Sequence, residues 1–290
     1  MLFEIKNSFI SVGVDSLGAE LSHITGCDGT KYLWPGDPEY WSGRSPVLFP
    51  ICGRLKGGEY FHRGKSYKMQ GHGFARDMDF ALASKNENSL GLVLKSNDQT
   101  RAQYPFDFTL GICYSLEKNR LICRMTVSNT GGDILPFSLG GHPGFNLPLT
   151  KGVNFEDYYL EFDSPCTPRR MTISPNYLAG THEPFSLEDG RILRLSRSLF
   201  DFDGIFLTDI PSAVTLKCDK DSRAVRLECP DMSYIGFWQP AFTEPPFLCI
   251  EPWRGLPDPD DADGDIMKKP GMIHLEPGAC YTFEYLIDLL

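Results

Sequence analysis

The chain has 290 residues, 41% of them hydrophobic and 23% charged, enough to bury a sizeable core without disulfide or metal staples. Its formal net charge of −10 is a poor match for a phosphate backbone or an anionic membrane surface, and no Lys/Arg cluster interleaved with aromatics offsets it. No apolar run approaches the roughly 18 residues that span a bilayer, so neither nucleic acid nor membrane is expected as a partner. Nine cysteines are scattered without a C-x-x-C pair, several inside apolar alternating runs where a free thiol behaves as a small hydrophobe. Together with an N-terminus that lacks a charged and then apolar leader, they point to a soluble protein in the reducing cytoplasm.

Period-2 alternation predicts strands along most of the chain. Glu59–Met69 reads as a hairpin around Arg63-Gly64-Lys65, and Leu90–Lys95 as a further strand. From Phe106 to Leu116 one face carries Phe106, Phe108, Leu110, Ile112, Tyr114 and Leu116, with polar and small residues between them. Glu117-Lys118-Asn119 turns the chain into a second strand whose inner face is Leu121, Cys123, Met125 and Val127. Asn129–Asp133 closes that hairpin with strong turn chemistry. Ser196–Phe200 reads as a short helical turn, and no amphipathic helix exceeds about two turns. Ala213–Cys218, Ala224–Cys229 and the alternating Tyr281, Phe283 and Tyr285 complete the set. The pattern predicts an all-β chain, a β-sandwich over residues 1–290 as a single domain with no linker or repeat. The acidic stretch 257–269 fails the EF-hand spacing, because the position four before Asp263 is Pro259, and it reads as a solvated loop rather than an ion site.

Four segments look unlike plain strand or turn. Ser45–Arg54 is an apolar run broken by Pro46 and Pro50 and ended by Gly53-Arg54, which can aim a guanidinium into a cavity or leave it at a surface turn. His72 stands between Gly71 and Gly73, and His142 between Gly141 and Pro143-Gly144; such loops present an imidazole, although either histidine alone is as readily structural. Pro246–Trp253 reads as an apolar strand with Phe247, Cys249 and Glu251 on one face and Glu251 at its end. Desolvation there raises a carboxyl towards a general-base pKa. More weakly, Asp201 and Asp203 flank Phe202, as on a strand face that grips sugar hydroxyls.

In this order, Gly53-Arg54, His72-Gly73, His142-Pro143-Gly144-Phe145-Asn146-Leu147, Asp203 and Glu251-Pro252-Trp253 resemble the aldose 1-epimerase (galactose mutarotase) family, in the spelling of its LacX-like bacterial branch. The resemblance implies a large antiparallel β-sandwich that interconverts the α and β anomers of a hexopyranose without cofactor or metal. It implies Glu251 as general base on the anomeric hydroxyl, His142 as general acid at the ring oxygen and His72 as its helper. Arg54, Arg76, Asp203, Phe145 and Trp253 are then substrate-binding residues. Two departures stand out. Trp253 occupies a position where galactose mutarotases carry Gln, and His72–Arg76 is spelled as in hexose-6-phosphate epimerases, so Arg54 and Arg76 could face a phosphate. A hexose-6-phosphate 1-epimerase and a sugar-binding module without chemistry therefore remain open beside the mutarotase.

Overall fold

The computed structural model describes residues 1–174 and 178–290. Alternation becomes structure first in the central hairpin. Phe108–Glu117 pairs with Arg120–Asn129, and Lys118 takes the left-handed turn conformation at φ 56°. Phe108, Leu110, Ile112, Tyr114 and Leu116 are buried, as are Leu121, Cys123, Met125 and Val127 on the partner strand, while the residues between them are not. Each fully buried Leu, Ile or Phe contributes roughly 1.5–3 kcal/mol over exposure, so this one face commits the hairpin to a core.

That hairpin lies within a nine-stranded antiparallel sheet that runs from Ile192–Arg194 at one edge to Ala81–Lys85 at the other. Cys280–Leu289 bridges its two halves, pairing with Arg120–Asn129 on one side and Asp221–Glu228 on the other. An eight-stranded sheet packs against it and contains Ile205–Thr208, Tyr234–Trp238, Phe247–Arg254 and Leu139–Gly141 in neighbouring positions. Leu248 and Ile250 join the same core cluster as Leu110 and Met125. Their alternate neighbours Phe247, Cys249 and Trp253 belong to separate small clusters on the opposite face. The second sheet therefore has one face on the core and another free to build a site. The architecture is the expected all-β sandwich, with one six-residue helix, Asp98–Gln103, and the short helical turn Arg197–Phe200. Among the described residues no helix is long and apolar enough to cross a membrane, and all nine cysteines are unpaired.

Two local expectations change. Glu251 is not at the end of its strand, which continues through Pro252 to Arg254. A proline in a central strand lacks the donor its neighbour needs. It is tolerated here because that neighbour is broken: Gly144 pairs with Cys249 and Gly140 with Trp253, leaving His142-Pro143 opposite the gap. The acidic stretch is not simply a solvated loop either. Asp258 is 2% exposed and holds the buried ammonium of Lys269 at 2.7 Å, while its other oxygen accepts from the backbone N–H of Lys56 at 2.8 Å.

Candidate active site

The gap opposite Glu251 is where the site forms. Gly140 and Gly141 end the strand that leads to His142. A Cβ on Gly141 would stand 2.8 Å from the ring of Tyr285, in the other sheet, so the missing side chain lets the two sheets approach and sets the depth of His142. Gly236 pairs with Glu251, and a Cβ there would meet the ring of Phe206 at 3.1 Å. Its absence leaves the carboxyl a bare flank. Cross-strand partners share a face, so Trp238, opposite Cys249, also points into the site.

His72 is held differently. It sits at φ 66°, a conformation that a non-glycine residue adopts only under constraint. Its own N–H donates to the carbonyl of Gly53 at 2.7 Å, and its Nδ1 accepts from the N–H of Gly53 at 3.2 Å. An acceptor at Nδ1 places the ring proton on Nε2. Gly73 is required by contact, because a Cβ there would lie 2.1 Å from the carbonyl oxygen of Phe49. Asp203 also has positive φ, at 98°, with its carboxylate accepting from the N–H of Gly204.

These elements line a single cavity that opens to solvent. Glu251, His142 and His72 all line it, together with Arg54, Arg76, Asp203 and Trp253. Phe145 does not. On Gly144–Asn146, Gly144 faces Trp34 and Trp41, so alternation turns Phe145 into the main core, where it is fully buried. Asp201 does not line the cavity either, because the segment before Ile205 is a turn and not a strand face. Trp41, Phe206 and Trp238 also line it. His142 is packed between the rings of Trp41 at 5.0 Å, Trp238 at 5.5 Å and His72 at 5.5 Å.

His142 Nε2 lies 3.2 Å from Glu251 Oε2, yet the two are not aligned as a hydrogen bond, and Oε2 and His142 Nδ1 have no partner. Glu251 is 1% exposed. Burial, then the charge of Asp203, push its pKa well above the ordinary carboxyl value, with the indole of Trp253 opposing them. Burial lowers His142 to about 3, helped by Arg76. His72 is driven well below 6.5 by burial, then by His142, Arg76 and Arg54. All three shifts favour neutral groups in a dry site. One donor atom each of His142, Cys249 and Glu251 also lies within 4.8 Å of the others.

The family model described as aldose 1-epimerase matches residues 1–286. The chain is similar, at 33% identity over the whole of both chains, to the chromosomal protein LacX of Lactococcus lactis subsp. lactis. Among solved structures, a galactose mutarotase related enzyme from Lactobacillus acidophilus superposes with a TM-score of 0.95 at 35% identity, over 100% of this chain and 97% of that one. A galactose mutarotase-like protein from Lactobacillus casei does so with a TM-score of 0.93 at 31% identity over all of both chains.

Proposed function

The chain belongs to the aldose 1-epimerase family, and from that premise we propose that its site interconverts the α and β anomers of a hexopyranose by opening and reclosing the ring. The observation that carries the proposal is the 3.2 Å contact between Glu251 Oε2 and His142 Nε2 at the cavity. Ring opening removes a proton from O1 and delivers one to O5. Both oxygens hang on C1, so their proton partners must stand side by side. The neutral pair holds one exchangeable proton; with it on His142 and Glu251 ionised, Glu251 takes the O1 proton, the O1 electrons form the C1=O1 bond as C1–O5 breaks, and the His142 imidazolium gives its proton to O5. After rotation about C1–C2 the same transfers run backwards and close the ring on the other face. Each transfer is worth roughly 10²–10⁴ in rate.

His72 polarises O5 through its Nε2–H, because Nδ1 is occupied by Gly53. Burial that raises the proton affinity of Glu251 makes it a stronger base once ionised. Sugar hydroxyls that donate to the carboxylate favour that ionised form. Trp41, Trp238 and Trp253 offer apolar faces to the ring, while Arg54, Arg76 and Asp203 hold its hydroxyls. None of these steps calls on a cofactor. The whole chain acts as one domain, and nine unpaired thiols suit the reducing cytoplasm.

A second reading has its own observation. Arg54 and Arg76 both reach the cavity, and the Arg54 guanidinium has no hydrogen-bond or ion-pair partner among the described residues. A phosphate at one end of the sugar would fill that role, which makes the protein a hexose-6-phosphate 1-epimerase. The convergence of Glu251 and His142 on one cavity supports catalysis over sugar sensing alone. Polarimetry on freshly dissolved single anomers of glucose, galactose and their 6-phosphates tests both readings. Acceleration of a free hexose supports the first, and a strong preference for unphosphorylated sugar ends the second. No acceleration of any of them refutes the function.

A further inference from the structure

Beside the acid–base pair lies a group that ring opening does not use. Cys249 precedes Glu251 by two positions on the Phe247–Arg254 strand, so alternation aims its thiol at the same face, where it is fully buried beside Trp34 and Phe247. One donor atom from each of His142, Cys249 and Glu251 lies within 4.8 Å of the other two. His142 and Glu251 are themselves buried, and Glu251 Oε2 makes no hydrogen bond. Buried polar atoms without partners are uncommon and call for an explanation.

The donor set is the informative part. Zinc bonds of about 2.0–2.3 Å in a tetrahedron place ligand atoms about 3.3–3.8 Å apart. His142 Nε2 and Glu251 Oε2 already stand at 3.2 Å, and the Cys249 thiol lies within 4.8 Å of one ring nitrogen of His142 and one carboxylate oxygen of Glu251, so modest side-chain movement joins the three. One nitrogen, one sulfur and one carboxylate oxygen select a borderline-soft ion over magnesium or calcium, which take oxygen ligands. Three protein ligands with a fourth position facing a cavity is the open arrangement of zinc sites that accept a small molecule or water.

We propose that His142, Cys249 and Glu251 form a binding site for a divalent zinc-like ion whose fourth position opens into the sugar cavity, and that the ion inhibits the enzyme. Binding displaces the thiol proton, and the carboxyl proton where present, to solvent. The ion then occupies the lone pairs that Glu251 and His142 need for proton transfer, so it opposes the reaction instead of serving it. The inhibitory clause rests on the acid–base reading of the site; the binding clause does not.

The test uses the full chain stripped with a chelator, then titrated with Co²⁺ and Zn²⁺. Thiolate-ligated Co²⁺ is expected to give a sulfur-to-metal charge-transfer band in the near ultraviolet, which Zn²⁺ abolishes. Cys249→Ala is expected to lose the band, keep its metal-free anomerisation rate, and need at least about tenfold more Zn²⁺ for half-inhibition. Cys249→Ser, which keeps the size of the side chain without the soft donor, should behave alike if the alanine variant folds poorly. Absence of the band in the wild-type protein overturns the site, and so does equal zinc sensitivity of wild type and variant. A band without anomerisation of any sugar leaves the metal site standing and removes the catalytic reading instead.

Discussion

Replacing Glu251 with Gln should stop the chemistry while leaving the fold. The side chain is 1% exposed in a strand paired on both sides, and Gln has the same shape, so packing is preserved. Removing the base should cost at least about a hundredfold in rate, equivalent to about 2.7 kcal/mol in the barrier. Stability should change by no more than about 1–2 kcal/mol, the scale of one altered buried polar contact. The sign of that change depends on pH. The folded pKa of Glu251 is raised, so the wild-type protein gains stability below 4.5 and loses it as pH rises through the folded value. Gln does not titrate, and the variant should therefore gain on the wild type with rising pH. Polarimetry gives the rate, quenching of Trp41, Trp238 and Trp253 fluorescence gives sugar binding, and denaturant melts at two pH values give stability. A variant that binds sugar and works within about tenfold of wild type would refute Glu251 as the base.

His142→Asn should lose rate on the same scale, whereas His72→Asn should lose less; the reverse order in steady-state rates would exchange the roles of the two histidines. The acid limb of the kcat/KM profile should lie above the ordinary carboxyl range, because burial raises Glu251, and activity should fall as pH drops below it. A limb at or below about 4.5 would contradict the burial argument. Lys269→Met leaves Asp258 buried without its partner and should destabilise by about 3–5 kcal/mol, with most of the loss recovered when Asp258→Asn is added. A denaturation midpoint no better in the double variant would show that the pair is not coupled.

The strands were legible because alternation is local: Phe108 to Leu116 and Leu121 to Val127 each declare a buried face without reference to any distant residue. The same holds for the face shared by Phe247, Cys249 and Glu251. What could not be read locally depends on partners. Pro252 argues for a strand end until the interruption at His142-Pro143 is known. Asp258 reads as one more solvated acid until Lys269 is found beside it. Phe145 shares a motif with His142, yet the turn at Pro143-Gly144 sends its side chain to the other face. Trp238 enters the site through its register with Cys249, and Trp41 through contact with His142, neither of which leaves a trace in nearby sequence.

Anomer exchange through Glu251 and His142 in one cavity can be measured directly. Two-dimensional exchange NMR on an equilibrated hexose measures this without consuming substrate. Cross-peaks between the α and β anomeric protons should grow with wild-type protein and be lost in Glu251→Gln and His142→Asn. A wild-type protein that binds the sugar yet adds nothing to its spontaneous exchange would contradict that expectation.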